Sequence, residues 1–262
     1  MKRRHSSDED KIDAEMHSGK TATENVYLSM FMGFRDQLDK HHDRRERVIK
    51  ASRDITALSK KIIFSLQRTK HIGHELPPAI SKDLQGKLAE IRELYASIAP
   101  DLRGQNEWRY HRSISPAIQE FIEAQTFLSF LTKRSLLNPE QLNSSLSDEL
   151  HITLSDYMLG IFDLTGELMR FAIANLGTPG SDGDLISAEI CALMRGMRQG
   201  FESLDVQTSG ESSLGNEIGK KLATMRSSVE KVEACRYSMA VRGKERPKGW
   251  RPDERAGQEQ MI

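Results

Sequence analysis

The sequence predicts an all-α protein, and three observations predict it. Apolar residues recur at three- and four-residue spacing through most of the 262 residues. No segment alternates apolar and polar residues as a half-buried strand does. Proline and glycine fall mainly between the periodic stretches, where they end one helix and permit the next to start. A chain of this size holds one large domain or two small ones.

Residues 1–24 read as a disordered mixed-charge tail. They start Met1-Lys2-Arg3-Arg4-His5, turn acidic at Asp8-Glu9-Asp10, and carry too few apolar residues to fold. From Val26 to Lys70 there is no proline, and the one glycine, Gly33, is near the start. Phe31, Phe34, Leu38, Val48, Ile55, Ile62 and Leu66 recur there at helical spacing. A helix of about 40 residues is about 60 Å long, so it runs the length of a bundle or coils against another chain. Pro77-Pro78 end it. Leu84, Leu88, Ile91, Tyr95 and Ile98 trace a second helix, stopped by Pro100. A third runs from near Glu107 to Leu136, with Ser115-Pro116 kinking it or resetting its start. Asn138-Pro139-Glu140 reads as the cap and first turn of a short fourth helix. A fifth spans about Leu154 to Leu176 and closes at Gly177-Thr178-Pro179-Gly180. The sixth follows Ile186, Ile190, Leu193, Met197, Phe201 and Leu204, and the seventh runs from Leu214 through Met225 to Met239. Beyond Gly243 the chain turns polar. One helical domain over 25–243 thus lies between tails at 1–24 and 244–262.

Lys and Arg number 38, as do Asp and Glu, so the formal net charge is zero. A chain without an overall positive field binds nucleic acid through a local patch or through a partner's surface. Cys191 and Cys235 stand far apart in helical patterns, which argues against zinc and against a disulfide framework. There is no secretory start and no apolar run long enough for a bilayer. The expectation is a soluble intracellular protein with no membrane partner.

The chemistry concentrates on the fifth helix. At ~100° per residue, Asp156, Gly160, Asp163, Glu167 and Arg170 fall in a stripe roughly 80° wide on an otherwise apolar helix. A surface helix shows the reverse balance, so this one reads as packed on most sides with one polar slot. On the third helix Glu120 lies inside the apolar arc of Ala117, Phe121, Ala124, Phe127, Leu128 and Leu131, and Glu123 lies between Phe127 and Phe130. Gln119, Thr126, Ser129 and Lys133 mark the side where a solvated glutamate belongs. Two inward carboxylate pairs supply what Mg²⁺ or Mn²⁺ takes: hard oxygens, retained water and room for a phosphate. The plainer alternatives are a narrow solvated face with ion pairs along the fifth helix, and a shifted register or salt bridges to Arg112 or Lys133 on the third.

Several segments resemble the translin-associated factor X (Trax) group of the translin family. They are Ser52-Arg53-Asp54-Ile55-Thr56 continuing through Ser59-Lys60-Lys61 to Ile63-Phe64, and Glu120 with Phe121-Ile122-Glu123-Ala124 after His111-Arg112. Asp156-Tyr157 with Leu159-Gly160, the run from Asp163 to Arg170, and Val241-Arg242-Gly243 with Pro247-Lys248 complete the set. They stand in order from about Gly33 to Lys248. The resemblance implies a seven-helix translin-like bundle with one very long N-terminal helix, and assembly with translin into a closed hetero-octamer. It implies a Mg²⁺-dependent endoribonuclease that prefers single-stranded RNA, resident in cytoplasm and nucleus. RNA-silencing passenger strands or tRNA-processing fragments would be its substrates. The family's catalytic and metal-binding carboxylates fall here on Glu120, Glu123, Asp163 and Glu167.

In that scheme Glu123 or Glu167 takes the proton from the attacking water, and Arg112, Arg170, Arg44, Arg45 and Arg47 are the candidates for RNA phosphate. A solvated basic face is the plainer role for Arg44, Arg45 and Arg47, as a surface position is for His41, His42 and His111. Two other classes compete. A non-catalytic scaffold that holds RNA beside translin is separated by a cleavage assay. A di-iron carboxylate bundle needs Glu-x-x-His on two helices, and the sequence has none.

Overall fold

A computed structural model of the chain describes the backbone of residues 9–145, 152–176, 182–204 and 213–242, and side chains from Tyr27 onward within these except at Ser213 and Arg242. Of the expected tails, 1–8 and 244–262 lie outside the described residues, as does the closing turn at 177–180, while the backbone of 9–24 is helical and forms the start of α1. Among the described residues there are seven α-helices and no strand. They are α1 (Glu9–Gln67), α2 (Pro78–Ile98), α3 (Gln105–Lys133), α4 (Pro139–Ser145), α5 (Leu154–Asn175), α6 (Gly183–Glu202) and α7 (Ser213–Arg242). None is long and apolar enough to cross a membrane.

The chain divides into two compact units, Met1–Arg47 and Val48–Ile262. The described part of the first is the N-terminal stretch of α1, where Tyr27, Leu28, Phe31, Phe34 and Leu38 are all exposed. Phe31 and Phe34 meet edge to face at 6.2 Å, as residues three apart on a helix do.

In the second unit the helical periodicity turns inward at Val48. Ile55, Ile62 and Leu66 follow it into the core, each fully buried. Pro78 opens α2 as a first-turn proline, where its missing N–H costs nothing. Leu84, Ile91, Tyr95 and Ile98 are the buried face of α2, and a 3₁₀ turn, Ala99–Leu102, carries the chain past Pro100. The α4 start is a reciprocal cap: Asn138 Oδ1 accepts the Gln141 N–H at 2.8 Å, and Gln141 Oε1 accepts the Asn138 N–H at 2.9 Å.

At the centre are α3 and α5. The α3 helix runs unbroken through Pro116, so the proline neither resets its start nor ends it. Its expected solvated side is also corrected. Thr126 and Ser129 are buried and Gln119 is half-buried, because α3 is covered nearly all round its C-terminal half. Thr126 meets that burial by donating to the Ile122 carbonyl at 2.6 Å. The α5 helix packs against α3 on one side and against α6 and α7 on others. His111, Ser115 and Gln119 reach Asp156, and Gln119 and Ile122 lie against Gly160. Rising positions on α3 therefore meet rising positions on α5, so the two helices run parallel, with α4 in the crossover. At Gly160 they approach closely: a Cβ there would stand 2.8 Å from Ile122 Cγ2 and 2.9 Å from the Gln119 carbonyl.

Candidate active site

The structure brings Glu120, Glu123 and Asp163 within mutual electrostatic reach on the facing sides of α3 and α5. Glu123 is the deepest, 6% exposed, and its carboxylate makes no hydrogen bond or ion pair among the described residues. Burial, then Glu120 and Asp163, push its carboxyl from 4.5 up to about 8, against the pull of Arg170 and Lys221. Glu120 is raised as well, by burial first and by Asp163, while Lys60 and Lys221 oppose. The Lys60 ammonium comes within 3.8 Å of Glu120 Oε2.

Asp163 and Glu167 are neutralised from within the chain. Lys221 Nζ on α7 donates to Asp163 Oδ1 at 2.5 Å. Arg170 holds both Glu167 oxygens, with Nε at 3.1 Å from Oε2 and Nη2 paired to Oε1. Gln67, at the end of α1, donates to Glu167 Oε2 at 2.7 Å and to its backbone carbonyl at 2.9 Å. The salt bridges weighed in the sequence, to Arg112 or Lys133, are not the ones formed. Arg112 is exposed, and Arg170 is the partner of Glu167. Arg44, Arg45 and Arg47 belong to the first unit, where Arg45 pairs with its neighbour Glu46 at 3.7 Å.

Asp156 shares the α5 stripe but has a different role. It is 1% exposed and accepts from His111 Nε2 at 2.8 Å, Ser115 Oγ at 2.5 Å and Thr153 Oγ1 at 2.7 Å. The Thr153 hydroxyl in turn accepts the Asp156 N–H at 3.1 Å, capping α5. Burial pushes the Asp156 carboxyl up, but the hydrogen bonds from His111, Ser115 and Thr153 prevail and hold it below the usual aspartate value. The same bond raises His111 against its own desolvation. His111 is thus a half-buried clamp between two helices, not a surface histidine.

Sequence reasoning missed Lys60, Gln67 and Lys221. Lys60 stood inside the quoted Ser59-Lys60-Lys61 segment as one of two lysines, which gave no reason to choose it. Lys221 lies 58 residues from Asp163 on a helix whose polar face is rich in lysine and glutamate, and no spacing rule joins the two.

The translin family profile matches residues 43–243, which contain the whole carboxylate cluster. Translin-associated protein X of Rattus norvegicus is 32% identical over 278 aligned positions, covering 95% of this chain and 90% of the relative. The translin-associated protein X homolog of Schizosaccharomyces pombe is 32% identical and covers 81% of this chain and 87% of its own. Among solved structures, apo-NeC3PO superposes at a TM-score of 0.58 with 15% identity, over 77% of this chain and 92% of that one. AfC3PO in complex with duplex RNA gives the same TM-score of 0.58 at 20% identity, over 81% and 97%. These two share the fold. With a profile match across most of its length and relatives near one-third identical along it, this chain belongs to the translin family.

Proposed function

We propose that the chain is the catalytic subunit of a complex with translin that hydrolyses single-stranded RNA with Mg²⁺ or Mn²⁺. Glu120, Glu123, Asp163 and Glu167 are its reacting centre. Glu123 carries this reading: a buried, unpartnered carboxyl beside two other acids costs the fold stability unless a cation joins it. The donor set suits a hard cation, being carboxylate oxygens from two packed helices. No three His, Cys, Asp or Glu side chains among the described residues are arranged to hold a metal ion as they stand. Lys221 and Arg170 instead supply positive charge at Asp163 and Glu167.

The chemistry a bound Mg²⁺ supplies is neutralisation of the phosphate and a more acidic water. The chain's own side chains do the rest. Glu123, with its carboxyl raised to about 8, holds or releases a proton near neutral pH. Glu167, steadied by Gln67 and Arg170, is the other acceptor for the water's proton. Lys60 and Lys221 present ammonium groups for phosphate oxygens at the partly exposed edge of the cluster.

The relatives named translin-associated protein X and the C3PO neighbours, one of them solved with duplex RNA, support a translin partner and an RNA ligand. An octamer, residence in cytoplasm and nucleus, and a preference for single strands belong to the same proposal. A recessed site admits a flexible strand more readily than an A-form rod. The test is co-expression with a translin partner, mass measurement, and incubation with matched single- and double-stranded RNA with and without Mg²⁺. Expected is Mg²⁺-dependent cleavage, faster on single strands, which Asp163→Asn abolishes while the complex keeps its mass. Undiminished turnover by Asp163→Asn, or cleavage in EDTA, overturns the assignment. The internal pairing of Asp163 and Glu167 favours the second reading, an RNA-binding partner without catalysis. It predicts RNA retention with no cleavage in any divalent metal.

A further inference from the structure

A second cleft, of about 720 Å³, lies between α2, the segment before it and the C-terminal half of α3. Its volume is that of a small-molecule site, and none of the four carboxylates lines it. Gln125 does, and it lies about 200° round α3 from Glu123, so the cleft opens on the other side of the helix. Five leucines, Leu76, Leu84, Leu88, Leu128 and Leu137, form the apolar part of its walls, beside polar Ser81, Gln85, Ser129 and Thr132. Among them Gln125 is 9% exposed, and its amide has no hydrogen-bond partner among the described residues. The amide meets the solvent of the cleft and offers both donors and an acceptor in one plane, and on the same wall the Ser129 hydroxyl is buried without a partner among the described residues. Lys133 and His74 stand at the exposed edge with Glu75, and the Lys133 ammonium has no ion pair among the described residues.

A complementary ligand needs a flat body with apolar faces, a donor and an acceptor side by side on its edge, and a negative group several ångströms away. A nucleobase has such faces and such an edge, and glutamine pairs in this bidentate manner with adenine. We infer that this cleft binds one nucleoside monophosphate unit, adenine favoured, with the base inward on Gln125 and the phosphate outward on Lys133. The unit is either a free mononucleotide or one unpaired residue of an RNA. Nothing in the inference depends on the cleavage proposed above.

The test is calorimetric titration of the full chain in EDTA, so that no metal-dependent cleavage intervenes. The ligands are AMP, GMP, CMP, UMP, adenosine and ribose 5-phosphate. AMP is expected to bind at least about tenfold more tightly than ribose 5-phosphate. Gln125→Leu, close in volume, should weaken AMP and adenosine about tenfold alike. Lys133→Ala, at an exposed position, should weaken AMP several-fold and leave adenosine unchanged. Thermal melts of both variants establish that they fold, and Lys133→Ala keeps the test decisive if Gln125→Leu does not. Three results overturn the inference: no nucleotide bound at millimolar concentration, ribose 5-phosphate bound as well as AMP, or AMP affinity unaltered by the folded variants. Displacement of AMP by a short single-stranded RNA supports the inference and assigns the site to a residue of RNA. AMP binding that the RNA leaves intact supports it as a site for free nucleotide.

Discussion

Glu123→Gln should make the protein more stable, and by an amount that grows with pH. In the fold the Glu123 carboxyl is pushed from 4.5 up to about 8, by burial, Glu120 and Asp163. The unfolded chain releases that proton near its ordinary value. Between the two values the native state binds more protons than the unfolded state, so stability falls as pH rises through this window. A raised acid therefore penalises the fold on the alkaline side, opposite to an acid depressed by a salt bridge. Each tenfold is worth about 1.4 kcal/mol, which sets a ceiling of about 5 kcal/mol above pH 8 and about 3 at pH 7. Water entry and movement of Lys60 and Lys221 reduce this, and roughly half is the expected size. Glutamine keeps the shape and does not ionise. At ~2–4 °C per kcal/mol for a chain of this length, the variant should melt about 5–10 °C above wild type at pH 8. The gap should close towards pH 5. Mg²⁺ should narrow it at pH 8 by stabilising the ionised wild type alone. The assay is thermal denaturation of both proteins across this pH range, with and without Mg²⁺. Melting temperatures that run parallel from pH 5 to 8 would refute the reasoning.

Lys221→Met removes the ammonium from Asp163 and should move the midpoint of a Mg²⁺ titration, read by melting temperature, about tenfold lower; an unmoved midpoint means Lys221 does not compete with the ion. Asp156→Asn should cost about 2–4 kcal/mol at pH 7. Its deficit should shrink as pH falls through the lowered folded value, since an acid depressed in the fold stabilises only while ionised. His111→Ala shows the converse: the raised imidazole contributes fully below its ordinary 6.5 and loses that contribution as pH rises through the folded value. The deficit of His111→Ala in denaturant melts should therefore be larger at pH 6 than at pH 9. Gly160→Ala sets a Cβ 2.9 Å from the Gln119 carbonyl and 2.8 Å from Ile122 Cγ2, and should cost about 1–3 kcal/mol. A variant as stable as wild type would show that α3 and α5 can part freely.

The helices were legible because each writes its period locally. Leu84, Ile91, Tyr95 and Ile98 announced the buried face of α2, and Asn138-Pro139 announced the start of α4. The stripe on α5 was legible for the same reason, and so was the depth of Glu123. What failed was the wheel applied to α3. A wheel assigns Thr126 and Ser129 to water because they are polar, but a helix covered nearly all round buries both: Thr126 returns a bond to its own backbone, and the Ser129 hydroxyl is buried without a partner among the described residues. The partners of the acids were illegible for a different reason. Lys60, Gln67 and Lys221 sit on helices 1 and 7, far in sequence from the acids they face. Only the packing order of the bundle decides which of the chain's many lysines arrives there.

That packing order also divides the α5 stripe into parts that depend on one another. Asp156 fastens the N-terminal turn of α5 to His111 and Ser115 of α3. One turn on, Gly160 lets the two backbones close to a distance that any side chain would prevent. A turn further, Asp163 meets the field of Glu120 and Glu123. Asp156 and Asp163 are about 10 Å apart along the axis at 1.5 Å per residue, on one helix. A slip at the clamp is therefore carried to the acids with little attenuation. Because α3 and α5 run parallel, the clamp fixes rotation and register together, and both glutamates of α3 face α5 only in that register. Burial of Glu123 on this packed face, with Glu120 and Asp163 beside it, is what raises its carboxyl. A cluster held this tightly cannot relax by spreading its charges apart. It relaxes by taking up a proton, by keeping Lys221 and Arg170 against Asp163 and Glu167, or by admitting a cation, and on the proposed reading the third of these is the working state.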